Sequence, residues 1–123
     1  MTADWTKLAR AEDVNVANGV ANVALGERSH RVSIVEEGES FRLVAVVAHP
    51  AAVARMSDPA LFAWKRNRSS RLVGFRIDRR GRMVGEAWVP KAGVTPTEFQ
   101  LYLRTVAGES DRLEQLLTGR DVE

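Results

Sequence analysis

Eight cationic side chains fall within 18 residues: Lys65, Arg66, Arg68, Arg71, Arg76, Arg79, Arg80 and Arg82, with Trp64 just before them and Phe75 among them. Guanidinium and ammonium groups pair with phosphates or carboxylates, and aromatic rings stack on bases. Such a segment suits three surfaces: a solvated face, a site for an acidic protein partner, or a nucleic-acid track. The formal net charge of +2 conceals this concentration. Residues 1–54 carry five basic and seven acidic groups, residues 55–91 ten and three, and residues 92–123 three and six. Alternation turns Phe75 toward an apolar face, and the helix bearing Trp64 needs core contacts. Arg79 and Arg80 sit in a turn that charge keeps wet. These placements favour a solvated face or an acidic protein partner over nucleic acid, and no recognisable nucleic-acid-binding motif is present.

Other chemistry is sparse. His30 and His49 have no metal-ligand spacing to one another or to a carboxylate cluster, so no metal or cofactor site is expected and both read as surface or hydrogen-bonded structural histidines. Phosphate-binding glycine loops and a GxSxG nucleophile motif are missing, and Gly74 and Gly85 fall inside strands, where glycine marks a bulge or close packing. Asp78 and Glu86 read as structural or solvated carboxylates, not an acid/base pair. The 123 residues contain no cysteine, which excludes disulfides and a thiol nucleophile and fits a reducing compartment. No apolar run approaches the ~20 residues of a membrane helix, and no secretory signal is recognisable. A cytoplasmic, non-enzymatic chain forming a single domain over residues 1–123 is the expectation.

The elements that position these residues follow from periodicity and punctuation. Residues 1–13 offer a short helix or a loose arm, with Trp5 and Leu8 as anchors. Val14 to Leu25 is β-like around Asn18-Gly19, either a hairpin or one bent strand. His30–Val35 alternates and leads through Glu36–Glu39 to Phe41–Ala48. In that second strand Phe41, Leu43, Ala45 and Val47 share one face, while Val44, Val46 and Ala48 make the other face apolar too. A strand apolar on both faces is central, and either a helix or a second copy of the chain is expected on its far side. Asp58-Pro59 reads as the cap and first residue of a helix running to about Arg68. Arg71–Asp78 and Met83–Val89 are strands about the Arg79–Gly81 turn. Thr95-Pro96-Thr97-Glu98 is a capping box opening a helix to Thr118, with Gly119 as its C-terminal cap. Phe99, Leu103, Val106, Leu113 and Leu117 form its stripe, with Tyr102 and Leu116 at the margins. Gly108 within it suggests close approach of a strand or a slight bend. The whole is an α+β fold: a largely antiparallel sheet of about five strands, a middle helix and a long C-terminal helix.

The apolar residues Val44, Val46, Trp64, Leu72 and Trp88 exceed what one helix face covers. They read either as covered core or as a homodimer or partner face. Phe62 and Trp64 on the middle helix are the expected anchors of such a face, since aromatic residues and arginine dominate interface energetics.

Three stretches carry a family pattern: Asn67–Asp78, Gly81–Pro90, and the capped helix from Thr95 ending Asp111-Arg112-Leu113-Glu114-Gln115-Leu116-Leu117. Over residues 50–119 this resembles the C-terminal half of YbjN-domain proteins, which are similar in fold to class I type III secretion chaperones of the Tir-chaperone kind. The resemblance implies an often dimeric α+β domain without enzymatic chemistry. It also implies a bacterial setting, stress and regulatory roles, and chaperone-like binding of other proteins. The expected function is therefore protein binding as a homodimer. The alternative is a nucleic-acid-binding regulator using Arg66–Arg82.

Overall fold

The computed structural model describes residues 4–118. Six strands form one antiparallel sheet: β1 (Val14–Ala17), β2 (Val20–Leu25), β3 (Arg28–Glu37), β4 (Ser40–Ala48), β5 (Gly74–Ile77) and β6 (Met83–Pro90). Their spatial order is β1-β2-β3-β4-β6-β5. Four helices accompany them among the described residues: α1 (Trp5–Leu8), α2 (Pro50–Ala54), α3 (Pro59–Ser69) and α4 (Pro96–Thr118). The α+β architecture, the antiparallel sheet and the long C-terminal helix are as the sequence implies. The strand count reaches six because Val14–Leu25 is a hairpin. Asn18 and Gly19 take φ of 53° and 77°, the two left-handed residues that a type I′ turn requires.

Local signals fix the helix starts. The Asp58 carboxylate accepts from the Leu61 amide at 3.1 Å, with Pro59 opening α3. At α4, the Thr95 amide donates to Glu98 Oε1 (3.1 Å) and the Glu98 amide donates to Thr95 Oγ1 (3.2 Å), closing the capping box. The expected cap at Gly119 lies outside the described residues.

Helix α4 lies along one face of the sheet, against β2, β3, β4 and β6. Its Phe99, Leu103, Val106 and Leu113 are fully buried, as are Val32, Phe41, Leu43 and Met83 of the strands. Phe99 meets Phe41 edge-on at 5.6 Å between ring centroids. Tyr102 and Leu117 flank the stripe half-buried, whereas Leu116 points outward and is exposed. Gly108 does not mark a close approach, because a Cβ there would meet nothing within 4 Å. The tight contact is at Gly85 on β6. A Cβ at that position would collide with Ser110 Oγ and come within 2.9 Å of the Phe75 ring. Glycine at this position is what lets α4 sit down on the sheet.

Three polar clamps complete the assembly. The Gln100 side-chain amide donates to the carbonyls of Leu8 (3.0 Å) and Arg10 (3.2 Å), tying the end of α1 to α4. Arg104 forks onto Asp13 at 2.7 and 2.9 Å. At the opposite edge, the Asn67 side chain accepts from the Phe75 amide (2.7 Å) and donates to the Phe75 carbonyl (3.0 Å). One residue of α3 thereby acts as a further strand rung on the free edge of β5, satisfying and blocking it. The sheet's other face carries no helix among the described residues.

Candidate functional site

The helix-free face is read along cross-strand rows, since residues paired across an antiparallel sheet share a side. One row runs Val35, Arg42, Trp88, and the next runs Ser33, Val44, Glu86, Gly74. A third holds Val46, Val84 and Arg76. Trp88 is 51% exposed and Val35 37%, while Val44 and Val46 are half-buried. The Arg42 guanidinium sits 5.7 Å from the Trp88 ring, holding the indole in a cation–π contact.

Glu86 organises this surface. Its side chain is only 14% exposed and lies between two guanidiniums. Arg76 reaches it at 2.5 and 3.3 Å, and Arg42 at 3.2 Å while also holding Glu37 at 2.8 Å. Burial pushes the Glu86 carboxyl up, but Arg76 and then Arg42 outweigh it and hold it below the usual glutamate value. The β5–β6 turn is built in the same way. Asp78 accepts from the amides of Arg80 (3.0 Å) and Arg82 (2.9 Å) and from Arg82 Nε (2.8 Å). Burial raises the Asp78 carboxyl, and its bonds to Arg82 and Arg80 more than reverse this. Arg76, Arg79, Arg80 and Arg82 thus line an open cavity of about 470 Å³ that they share with Val44, Val46 and Val84.

The residues singled out by sequence fall in four places. Val44, Val46 and Trp88 share the helix-free face with Arg76, Arg79, Arg80 and Arg82. On α3 the two aromatic anchors part company: Phe62 packs against the core, while Trp64 is 57% exposed beneath the Arg68 guanidinium. Lys65 is exposed on the same helix. Leu72 is exposed with φ of 69°, a costly left-handed conformation for leucine, and lines a groove of about 400 Å³ with Val94, Leu101 and Tyr102. Arg66 and Arg71 join Arg112 around a different cavity. The basic segment is therefore split between surfaces, and Arg76 and Arg82 spend their charge on carboxylates of their own chain.

The sequence missed a cluster on the helix side. His30 is not isolated: its Nδ1 lies 3.5 Å from Asp111 Oδ1 and 3.7 Å from Glu114 Oε1. His30 and Asp111 are buried and Glu114 is half-buried. These three could hold a metal ion, with their ligand atoms all within 4.8 Å of one another. Arg28 binds Asp111 Oδ2 at 2.7 and 3.1 Å. Burial raises the Asp111 carboxyl, and Arg28 brings it below the usual aspartate value. The available sequence signal was Asp111 and Glu114 at i, i+3, on one side of a helix that faces the sheet.

The model of the YbjN family, described as "Putative bacterial sensory transduction regulator", matches residues 3–119. The chain belongs to the YbjN family. None of the curated proteins compared with this YbjN chain matches it. Among solved structures, it is similar to a chain of the heterodimeric ExoU-SpcU complex from the type III secretion system of Pseudomonas aeruginosa. Identity there is 14% and the TM-score 0.60, over 84% of this YbjN chain and 86% of that one. A chain of the ExsC-ExsE complex is similar at 19% identity and TM-score 0.56, over 80% and 75%. A chain of the HopA1-SchA chaperone-effector complex is similar at 12% identity and TM-score 0.50, over 96% and 87%. This YbjN chain therefore has a secretion-chaperone-like fold. No helix among the described residues is long and apolar enough to cross a membrane.

Proposed function

We propose that this YbjN chain acts as one non-enzymatic, chaperone-like or regulatory domain that binds another protein and works as a homodimer in the cytoplasm. The observation that carries the reading is the helix-free sheet face, where Trp88, Val35, Val44 and Val46 lie open between arginines. A half-exposed tryptophan gripped by arginine is the composition of an interface anchor. Its neighbours in fold occur in complexes with protein partners, one of them named a chaperone-effector complex. Arg79 and Arg80, exposed at the rim, would select an acidic partner. Trp64 and Leu72 are each exposed outside this face and are further apolar candidates, while Phe62 packs against the core.

Sedimentation of the full chain across concentration tests the dimer, with Trp88→Lys as the disrupting variant. A dimer that Trp88→Lys turns into monomer supports the reading. A strict monomer at high concentration removes the homodimer. The nucleic-acid alternative is tested by titrating oligonucleotides between about 50 and 200 mM salt, where phosphate contacts give a steep loss of affinity. Such a loss, abolished by Arg79→Glu with Arg80→Glu, would replace the protein-partner reading.

A further inference from the structure

We propose that His30, Asp111 and Glu114 form a site for one divalent transition-metal ion of the zinc class, which clips α4 to β3. The argument begins with the histidine ring. His30 Nε2 lies 3.0 Å from the Val46 carbonyl oxygen. A carbonyl only accepts, so Nε2 carries the hydrogen, and in the neutral ring Nδ1 offers a lone pair. That lone pair faces two carboxylate oxygens, Asp111 Oδ1 and Glu114 Oε1. Three acceptors turned toward one another repel unless a proton or a metal cation lies between them.

The spacing selects the kind of cation. A proton on Nδ1 would draw a carboxylate to about 2.7–2.9 Å, the length of a charge-assisted hydrogen bond. The separations are instead 3.5 and 3.7 Å. Ligands held about 2.0–2.1 Å from a tetrahedral zinc ion stand roughly 3.3–3.4 Å apart, so the two histidine–carboxylate distances fit a shared metal better than a shared proton.

The surroundings also match a metal site. Metal-binding histidines donate their second ring hydrogen to a carbonyl or carboxylate, and metal-binding carboxylates are themselves hydrogen-bonded. Val46 supplies the first partner, and Arg28 the second by occupying Asp111 Oδ2. Two carboxylates meet one guanidinium in direct contact, while Arg31 and Arg82 line the adjoining cavity. His30 and Glu114 line an open cavity of about 430 Å³, which provides an entry path and room for a water as fourth ligand. One imidazole and two carboxylates form a nitrogen–oxygen set suited to zinc and its first-row neighbours.

The test uses the full untagged chain, freed of metal, and Zn²⁺ competed against a chromophoric chelator. The expected result is one equivalent of Zn²⁺ per chain, with at least tenfold weaker binding in Glu114→Gln and loss in His30→Gln. Glu114 has a half-exposed side chain, so its variant keeps the test valid should His30→Gln fail to fold. Zn²⁺ should also raise the melting temperature of the native chain but not that of Glu114→Gln, and excess Mg²⁺ should not displace it. The proposal is overturned by absence of stoichiometric uptake, by uptake that Glu114→Gln leaves unchanged, or by Mg²⁺ competing on equal terms. A further overturning result is a nitrogen NMR spectrum in which Zn²⁺ leaves the His30 ring signals unmoved.

Discussion

On β4, Phe41, Leu43, Ala45 and Val47 point toward α4 and are buried, while Arg42, Val44 and Val46 alternate with them and remain half-buried on the opposite side. The same contrast holds at the end of β6, where Ala87 and Val89 are buried but Trp88 between them is half exposed. Both faces are built by the same backbone and the same hydrogen-bond ladder. They differ in what closes them. The helix face is closed by apolar packing, with Phe99 and Leu103 filling the space over Phe41 and Leu43. The open face is held by ion pairs radiating from Glu86 and Asp78, which keep arginines and a tryptophan in fixed positions without covering them. Packing of the first kind stabilises the fold strongly, whereas ion pairs whose arginines stay in contact with water, as Arg76 and Arg82 do, contribute less. The exposed positions of the open face, Trp88, Arg79 and Arg80, can therefore change at small cost to the fold, which is what a recognition surface needs.

Substitutions on the two sides should separate accordingly. Phe99→Ala, at a fully buried position, is expected to cost about 3–5 kcal/mol in urea unfolding, the usual range for emptying an aromatic core site. Gly85→Val tests the closeness of α4 to β6. Collision with Ser110 and Phe75 should cost about 1–3 kcal/mol, as overpacking does, with the loss read from the same urea curves.

Acidification probes the ion pairs on both faces. Glu86 and Asp111 have carboxyls held below their usual values of 4.5 and 3.8. A depressed folded pKa gives stability that is present above the unfolded value and is lost as pH falls through the folded one. The urea midpoint should hold steady above pH 4.5 and decline below it, and Glu86→Gln should make that decline shallower. An unchanged slope in this variant would mean that Glu86 is not coupled to Arg42 and Arg76 in solution.

Trp88→Ala should have the smallest effect on folding, within about 1 kcal/mol, since surface changes outside packed sites are mild. Its larger consequence should appear as weakened self-association in sedimentation. A loss of stability matching that of Phe99→Ala would erase the distinction between the faces.

Much of the framework was legible because its causes are local. The Asn18-Gly19 turn, the Asp58 cap, the Thr95–Glu98 capping box and the stripe along α4 each need only neighbours in sequence. Gly108 left open a close approach or a slight bend, and the structure excludes the close approach. It stands in open space, and the glycine that permits close packing is Gly85, opposite Ser110. The sheet likewise set the faces of β6, with Val84 and Trp88 on one side and Ala87 and Val89 on the other. Asn67 stood out within a family pattern, but its pairing with the edge of β5 depends on where α3 comes to rest.

The residue types and their periodicity determined an antiparallel sheet, a capped long helix, a cysteine-free core and a strongly basic middle segment. Periodicity acts through turns, caps and alternation, whose energies are set within a few residues. Tertiary structure alone decided which strand face α4 covers, how the arginines divide between separate surfaces, and that His30 meets Asp111 and Glu114. Those outcomes depend on elements distant along the chain coming to rest within a few ångströms, and spacing in the sequence carries no measure of that distance.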